Sequence, residues 1–250
     1  MYLTEPSLND IVKKQFLHKL NAYTGVFSSL LVMQLIGLFL GFGTGGGGGS
    51  GSGGNVSIDY TFTTGDVPII FTLLWAFSMG ILVTTLAYRN DAFSFVSNRI
   101  SHHISGFLFL MFASAIAGIT AVLAGSIIKL IFLFQSNLLI DEASGLFSSP
   151  VDLLIRIATS ILYTLLFAGL GYVLGSFIQR SKLVIPILIA VFFIGPMIRL
   201  NLGGIDLIEK VVSFYGTETS LLVFLIKIVA TVSILFAISI TVTNKTEVRK

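Results

Sequence analysis

Cysteine is absent from the 250 residues. That excludes a disulfide framework, a thiolate metal site and a thiol nucleophile. Charge is scarce as well. Asp, Glu, Lys and Arg make up 11% of the chain, against roughly 25% in a soluble globular domain. So few charges cannot coat a water-facing surface, which excludes a soluble enzyme and a disordered protein. The formal net charge is only +3, from 15 basic and 12 acidic residues. That is too little for a stripe that tracks phosphates, so no nucleic-acid partner is expected. Histidine is limited to His18, His102 and His103.

What is present is apolar: 54% of the residues are hydrophobic. A helix crossing the hydrocarbon core needs about 20 apolar residues. Six stretches approach that length, at about 21–42, 67–88, 105–134, 151–178, 183–199 and 220–242. Barrel strands would alternate apolar and polar over about 10 residues; these runs are continuous. The expected fold is an all-α polytopic membrane protein with six transmembrane helices in a single domain. The third span exceeds what a crossing needs and should tilt or project. The fifth contains Pro186 and Pro196 and should be kinked.

Orientation follows the basic residues of the loops. Lys13, Lys14, Lys19, Arg89, Arg99, Arg180, Lys182, Lys245, Arg249 and Lys250 fall on one side; Lys129, Arg156, Arg199, Lys210 and Lys227 fall on the other. Eight of the acidic residues, including Asp59, Asp66, Asp152 and Glu218, share the poorly basic side. Both termini are therefore expected in the cytoplasm.

Within residues 1–20, Leu8, Val12, Phe16 and Leu20 recur every fourth position, with Lys13, Lys14 and Lys19 elsewhere on the wheel. This reads as an amphipathic helix lying on the inner leaflet. The outer loop at 43–66 contains a Gly/Ser run from Gly45 to Gly54, the composition of a flexible coil. No Lys-Ser or Lys-Thr follows it, so it is no phosphate loop. The cytoplasmic loop at 89–104 is polar and aromatic. Asn90 or Asp91 would cap a short helix, with Phe93, Val96 and Ile100 on one face and Arg99 on another. Such a helix suits docking to a partner protein. After Gly203-Gly204, the recurrence of Ile205, Ile208, Val212 and Tyr215 predicts a short outer helix.

Polar residues inside spans are candidate functional groups. Lys129 and Arg199 lie near span ends, where a long side chain snorkels to the interface. Asp152 and Arg156 are spaced i, i+4 and should pair at the outer end. Lys227 lies seven residues beyond Ser220, roughly 10 Å into the sixth span at about 1.5 Å per residue. Gln34 sits near the middle of the first span. Lys227 and Gln34 are the candidates for a translocation path, the competing reading being a hydrogen bond to a neighbouring helix. Gly118 in the third span and Gly171 and Gly175 in the fourth mark close helix packing.

Enzyme signatures are missing. There is no HExxH, no pair of aspartates in the spans and no GxxxxGK[ST]. Ser144 falls on the outer side and the three histidines on the inner, so no Ser–His dyad forms. No catalytic residue, metal ligand or cofactor-binding residue is expected in this chain.

Order and topology together resemble the small permease subunits of the ABC-2 export superfamily. Exporter permeases of Firmicutes look similar around Phe95-Val96-Ser97-Asn98-Arg99-Ile100-Ser101. The resemblance covers nearly the whole chain and is topological. It implies that Asn90, Asp91, Phe93, Phe95, Val96, Asn98 and Arg99 form a coupling helix docking on a separate ABC ATPase. ATP and Mg²⁺ would bind that partner and not this chain. It also implies a second permease subunit, with spans one, two and five at the interface, and a place in a bacterial cell membrane. The expected function is ATP-driven export of an amphipathic or hydrophobic cargo (a peptide, antibiotic or lipid) by alternating access. The Gly-rich loop and the lack of a large outer domain depart from the pattern. Two other classes stay open: an ion-coupled secondary transporter and a non-transporting membrane scaffold or immunity protein. The first would need internal repeats and midplane carboxylates, neither of which is evident.

Overall fold

The computed structural model describes residues 8–44, 46–53, 56–63, 65–85, 99–134, 150–181, 183, 184, 186, 210, 213–218 and 220–244. Six helices and one β-hairpin dominate: α1 (Leu8–Ala22), α2 (Thr24–Thr44), β1 (Gly46–Gly53), β2 (Val56–Thr63), α3 (Val67–Val83), α4 (Arg99–Phe134), α5 (Pro150–Arg180) and α6 (Leu221–Asn244). Four segments are long and apolar enough to cross a membrane: Thr24–Phe42, Ile100–Ile131, Pro150–Arg180 and Leu221–Thr243. The chain thus has the apolar helices of a multi-pass membrane protein. The second expected span becomes the 17-residue α3, shorter than the other four. The fifth, at 183–199, lies almost entirely outside the described residues, as does most of the helix expected at 205–215; residues 213–216 are helical.

Local chemistry sets the ends of α3. Asp66 occupies its N-cap position and Pro68 its first turn, where a missing N–H costs nothing. At the other end Thr84 and Thr85 return their hydroxyls to the carbonyls of Ile81 and Leu82, both at 2.7 Å. The third span is longer at its start than expected: α4 begins at Arg99 and runs 36 residues, about 54 Å at about 1.5 Å per residue.

The core forms where α3 and α5 cross, flanked by α2, α4 and α6. Trp75, Ala76, Met79 and Val83 of α3 meet Leu162, Leu165, Ala168 and Tyr172 of α5; Phe109, Leu110, Ala113 and Ala117 of α4 complete the layer. Glycine makes the crossing close. A Cβ on Gly171 would strike the Phe77 carbonyl, and one on Gly80 the carbonyl of Ala168. Gly118 meets the Ile161 backbone in the same way, and Gly175 meets Ile81 and Thr84. All three expected packing glycines therefore work between helices of one chain.

Two expectations change. The Gly/Ser run is not coil: β1 pairs antiparallel with β2, from Gly46 opposite Thr63 to Gly53 opposite Val56. The β-branched and aromatic positions of β2, such as Val56, Ile58 and Tyr60, supply strand preference that β1 lacks. Second, α1 packs part of its apolar face against the protein. It docks on α4 through Val12, Gln15 and Lys19, with Leu8 and Leu17 exposed.

Large apolar side chains remain outside the core. Leu31, Leu35 and Phe39 of α2 and Leu222, Ile226 and Val229 of α6 are exposed. In water such continuous surface is an aggregation hazard; in hydrocarbon it is the natural outer face.

Candidate functional site

Buried polar groups gather in four places, two at the end of the bundle that carries α1 and the bundle's middle, two at the end that carries the hairpin. The most deeply buried lies at the α1 end. Lys19 is 3% exposed and Gln15, one turn earlier on the same face, 2%. The Lys19 ammonium donates to Ser105 Oγ at 2.9 Å and to the His102 carbonyl at 3.3 Å. Ser105 also lies 3.1 Å from Gln15 Oε1. Beyond them His103 Nδ1 is 2.7 Å from the hydroxyl of Tyr172, which is fully enclosed. Ser176 and Ser239 then link α5 to α6 by a hydroxyl–hydroxyl hydrogen bond.

Gly106 stands beside this cluster. A Cβ there would lie 3.5 Å from Lys19 Nζ and 3.6 Å from the Tyr172 hydroxyl. Among the described residues no carboxylate lies within salt-bridge range of Lys19. Burial accordingly pushes the Lys19 ammonium down to about 7, since desolvation penalises the charged form.

In the middle of the bundle, Gln34 is buried and ties three helices together. Its Nε2 donates to Thr120 Oγ1 at 2.9 Å, and to Thr72 Oγ1 and the Ala117 carbonyl at 3.3 Å each. Trp75 Nε1 donates to Ser29 Oγ at 2.9 Å on the same seam. These bonds connect α2 to α3 and α4.

At the hairpin end, Arg156 forms a salt bridge with Asp66. The pair joins α5 to the start of α3. Asp66 has this carboxylate to give because its side chain makes no capping bond. Lys129, expected to snorkel, is buried beside a cavity of about 10 Å³ lined also by Gly65, Ser126 and Arg156, the room of a single water. Gly65, at φ +64°, packs against the Gly125 backbone in the wall of this cavity.

Lys227 closes the inventory. It pairs with Glu218, donates to the Phe214 carbonyl at 3.2 Å and lies 4.0 Å over the Phe214 ring. Tyr215 reaches Thr231 at 2.8 Å, and Tyr163 donates to the Tyr215 carbonyl at 3.1 Å. The lysine that had no evident partner in its span is thus held by the segment preceding α6.

Of the expected coupling residues, Asn90, Asp91, Phe93, Phe95, Val96 and Asn98 lie outside the described residues, and Arg99 opens α4. Sequence reasoning missed Gln15, Lys19, Ser105, His103 and Tyr172 as a group. The adjacent histidines and Gly106 were the available signals. Among the described residues, no three His, Asp or Glu side chains converge to hold a metal. The chain matches no protein-family model, no curated protein and no solved structure.

Proposed function

We propose that the chain is the transmembrane permease subunit of an ATP-driven exporter in a bacterial cell membrane, working with a separate ABC ATPase and a second permease subunit. The reading takes the six-span topology, with both termini in the cytoplasm, from the distribution of basic residues. One observation supports it above the rest. α1 is bonded through Lys19 to His102 and Ser105 on the first turns of α4, directly after residues 89–98. A partner pulling on that loop would move α1 and α4 together and, through the tight α3–α5 crossing, the bundle behind them. The few charges of the spans favour an amphipathic or hydrophobic cargo, a peptide, antibiotic or lipid. ATP and Mg²⁺ would reside on the partner, and lipid would cover the exposed faces of α2 and α6.

The test is co-expression with a candidate ABC ATPase and deletion of residues 91–98, which stops short of α4. The full chain should co-purify with the ATPase, and the deletion should abolish the complex while leaving the permease folded. A complex that survives the deletion unchanged would remove the coupling role.

A further inference from the structure

Lys19 is a buried cation with no counter-ion among the described residues. Its two partners, Ser105 Oγ and the His102 carbonyl, are neutral. Beside it Gln15 Nε2 is buried and has no hydrogen-bond partner among the described residues. Donors therefore outnumber acceptors while the lysine is an ammonium, which has three N–H groups and no lone pair. As a neutral amine it gains one lone pair and can accept a hydrogen bond from a neighbouring donor. An uncompensated buried charge is among the most costly features a packed interface can hold.

The helix that carries Lys19 packs chiefly on α4. Val12 is buried and Phe16 and Leu20 pack against the core; Phe16 meets Phe112 of α4 edge-on at 6.2 Å between ring centroids. A single turn residue, Tyr23, separates α1 from α2, and its ring packs edge-on against Phe109 at 6.0 Å. That residue is a natural pivot. Swinging α1 outward about it would carry the lysine to water, where the ammonium is solvated.

We propose that α1 is a latch under proton control: its docked position holds Lys19 as a neutral amine, and a proton taken up there favours release of the helix from α4. This goes beyond the export reading, because it needs neither ATPase nor cargo to be observed. Burial places the docked lysine near 7, whereas a released one returns to about 10.4. The sign follows. Between those two values the released form binds a proton that the docked form does not. Docking therefore strengthens as pH rises from about 7 toward about 10, and is weakest, and level, below about 7.

Other ionisable groups stand close by: His103 from α4, paired with Tyr172 from α5, with His102 next to His103 and His18 next to Lys19 in sequence. Protonating either α4 histidine adds like charge and also favours release. The His102→Gln/His103→Gln variant separates that contribution from the lysine's.

The experiment uses the full chain in lipid nanodiscs. Because cysteine is absent, spin labels can be placed at Lys13→Cys on α1 and Gln179→Cys on α5, both exposed. Electron–electron distances are recorded from pH 6 to pH 9.5. The released-to-docked ratio should rise about tenfold per unit as pH falls from 9.5 to 7, then level off. Lys19→Met should abolish that dependence, and the His102→Gln/His103→Gln variant should keep it. A ratio constant from pH 7 to 9.5, or a dependence that persists in Lys19→Met, would overturn the proposal. If Lys19→Met does not fold, the histidine variant decides: loss of the dependence above pH 7 in that variant also overturns it.

Discussion

Gln34 and Lys227 are both polar residues in apolar runs, and the structure separates their roles by what they touch. Gln34 spends its amide on Thr72, Thr120 and the Ala117 carbonyl. Gln34→Leu should lower stability by about 1 kcal/mol, the usual range for an interhelical hydrogen bond in a membrane, read as denaturant unfolding in mixed micelles. Lys227 is braced by Glu218 and the Phe214 ring. A double-mutant cycle of Lys227→Met with Glu218→Gln should give a coupling of about 0.5–1 kcal/mol, because the pair is only partly buried. A coupling near zero would contradict that bracing. At this scale the sequence spoke unevenly. Spacing marked Gln34 and Lys227 as unusual, but their partners come from other elements and are not encoded in local pattern. Lys19 was misplaced for the same reason. A helical wheel assigns a lysine to the wet side, and the polar notch at Ser105 and Gly106 that receives it exists only once α4 packs beside α1.

Among elements, the α3–α5 crossing is the tightest joint. A side chain at Gly171 would collide with the Phe77 carbonyl, which is backbone and cannot rotate away. Gly171→Val should therefore destabilise the bundle by about 1–3 kcal/mol or more, seen as loss of the monodisperse folded species in size-exclusion chromatography. Gly25 has nothing within 4 Å, so Gly25→Ala should be tolerated by the same measure. The small-residue pattern of the fourth span made Gly171 and Gly175 legible from sequence. Gly80, their counterpart on α3, stood alone in its run and carried no signal. The hairpin was illegible for a physical reason: glycine has little intrinsic preference for a strand, and a Gly-rich strand specifies its register weakly. Gly49→Thr with Gly51→Thr, opposite Tyr60 and Ile58, should strengthen the pairing by up to about 1 kcal/mol per site. Slower amide exchange across β2 would report it.

For the whole molecule, hydropathy alone was enough to announce a multi-pass membrane protein. The exposed apolar faces of α2 and α6 and the four long helices agree with it. Span lengths were less legible: α3 closes at Val83 because Thr84 and Thr85 bond back to the last carbonyls, a capping event hidden in a run that reads as apolar beyond it. The export reading adds a direction to this architecture, with α1 and the 89–104 loop facing an ATPase and the hairpin facing away. Site-specific cross-linking in the otherwise cysteine-free chain tests that most directly. Single cysteines replace Phe93 or Val96 on one side and Ser57 or Thr61 on the other, each assembled with the ABC ATPase in membranes. The account predicts a cross-linked permease–ATPase species from Phe93→Cys or Val96→Cys and none from Ser57→Cys or Thr61→Cys. Cross-links from the hairpin positions, or none from the loop in a complex that has formed, would contradict it.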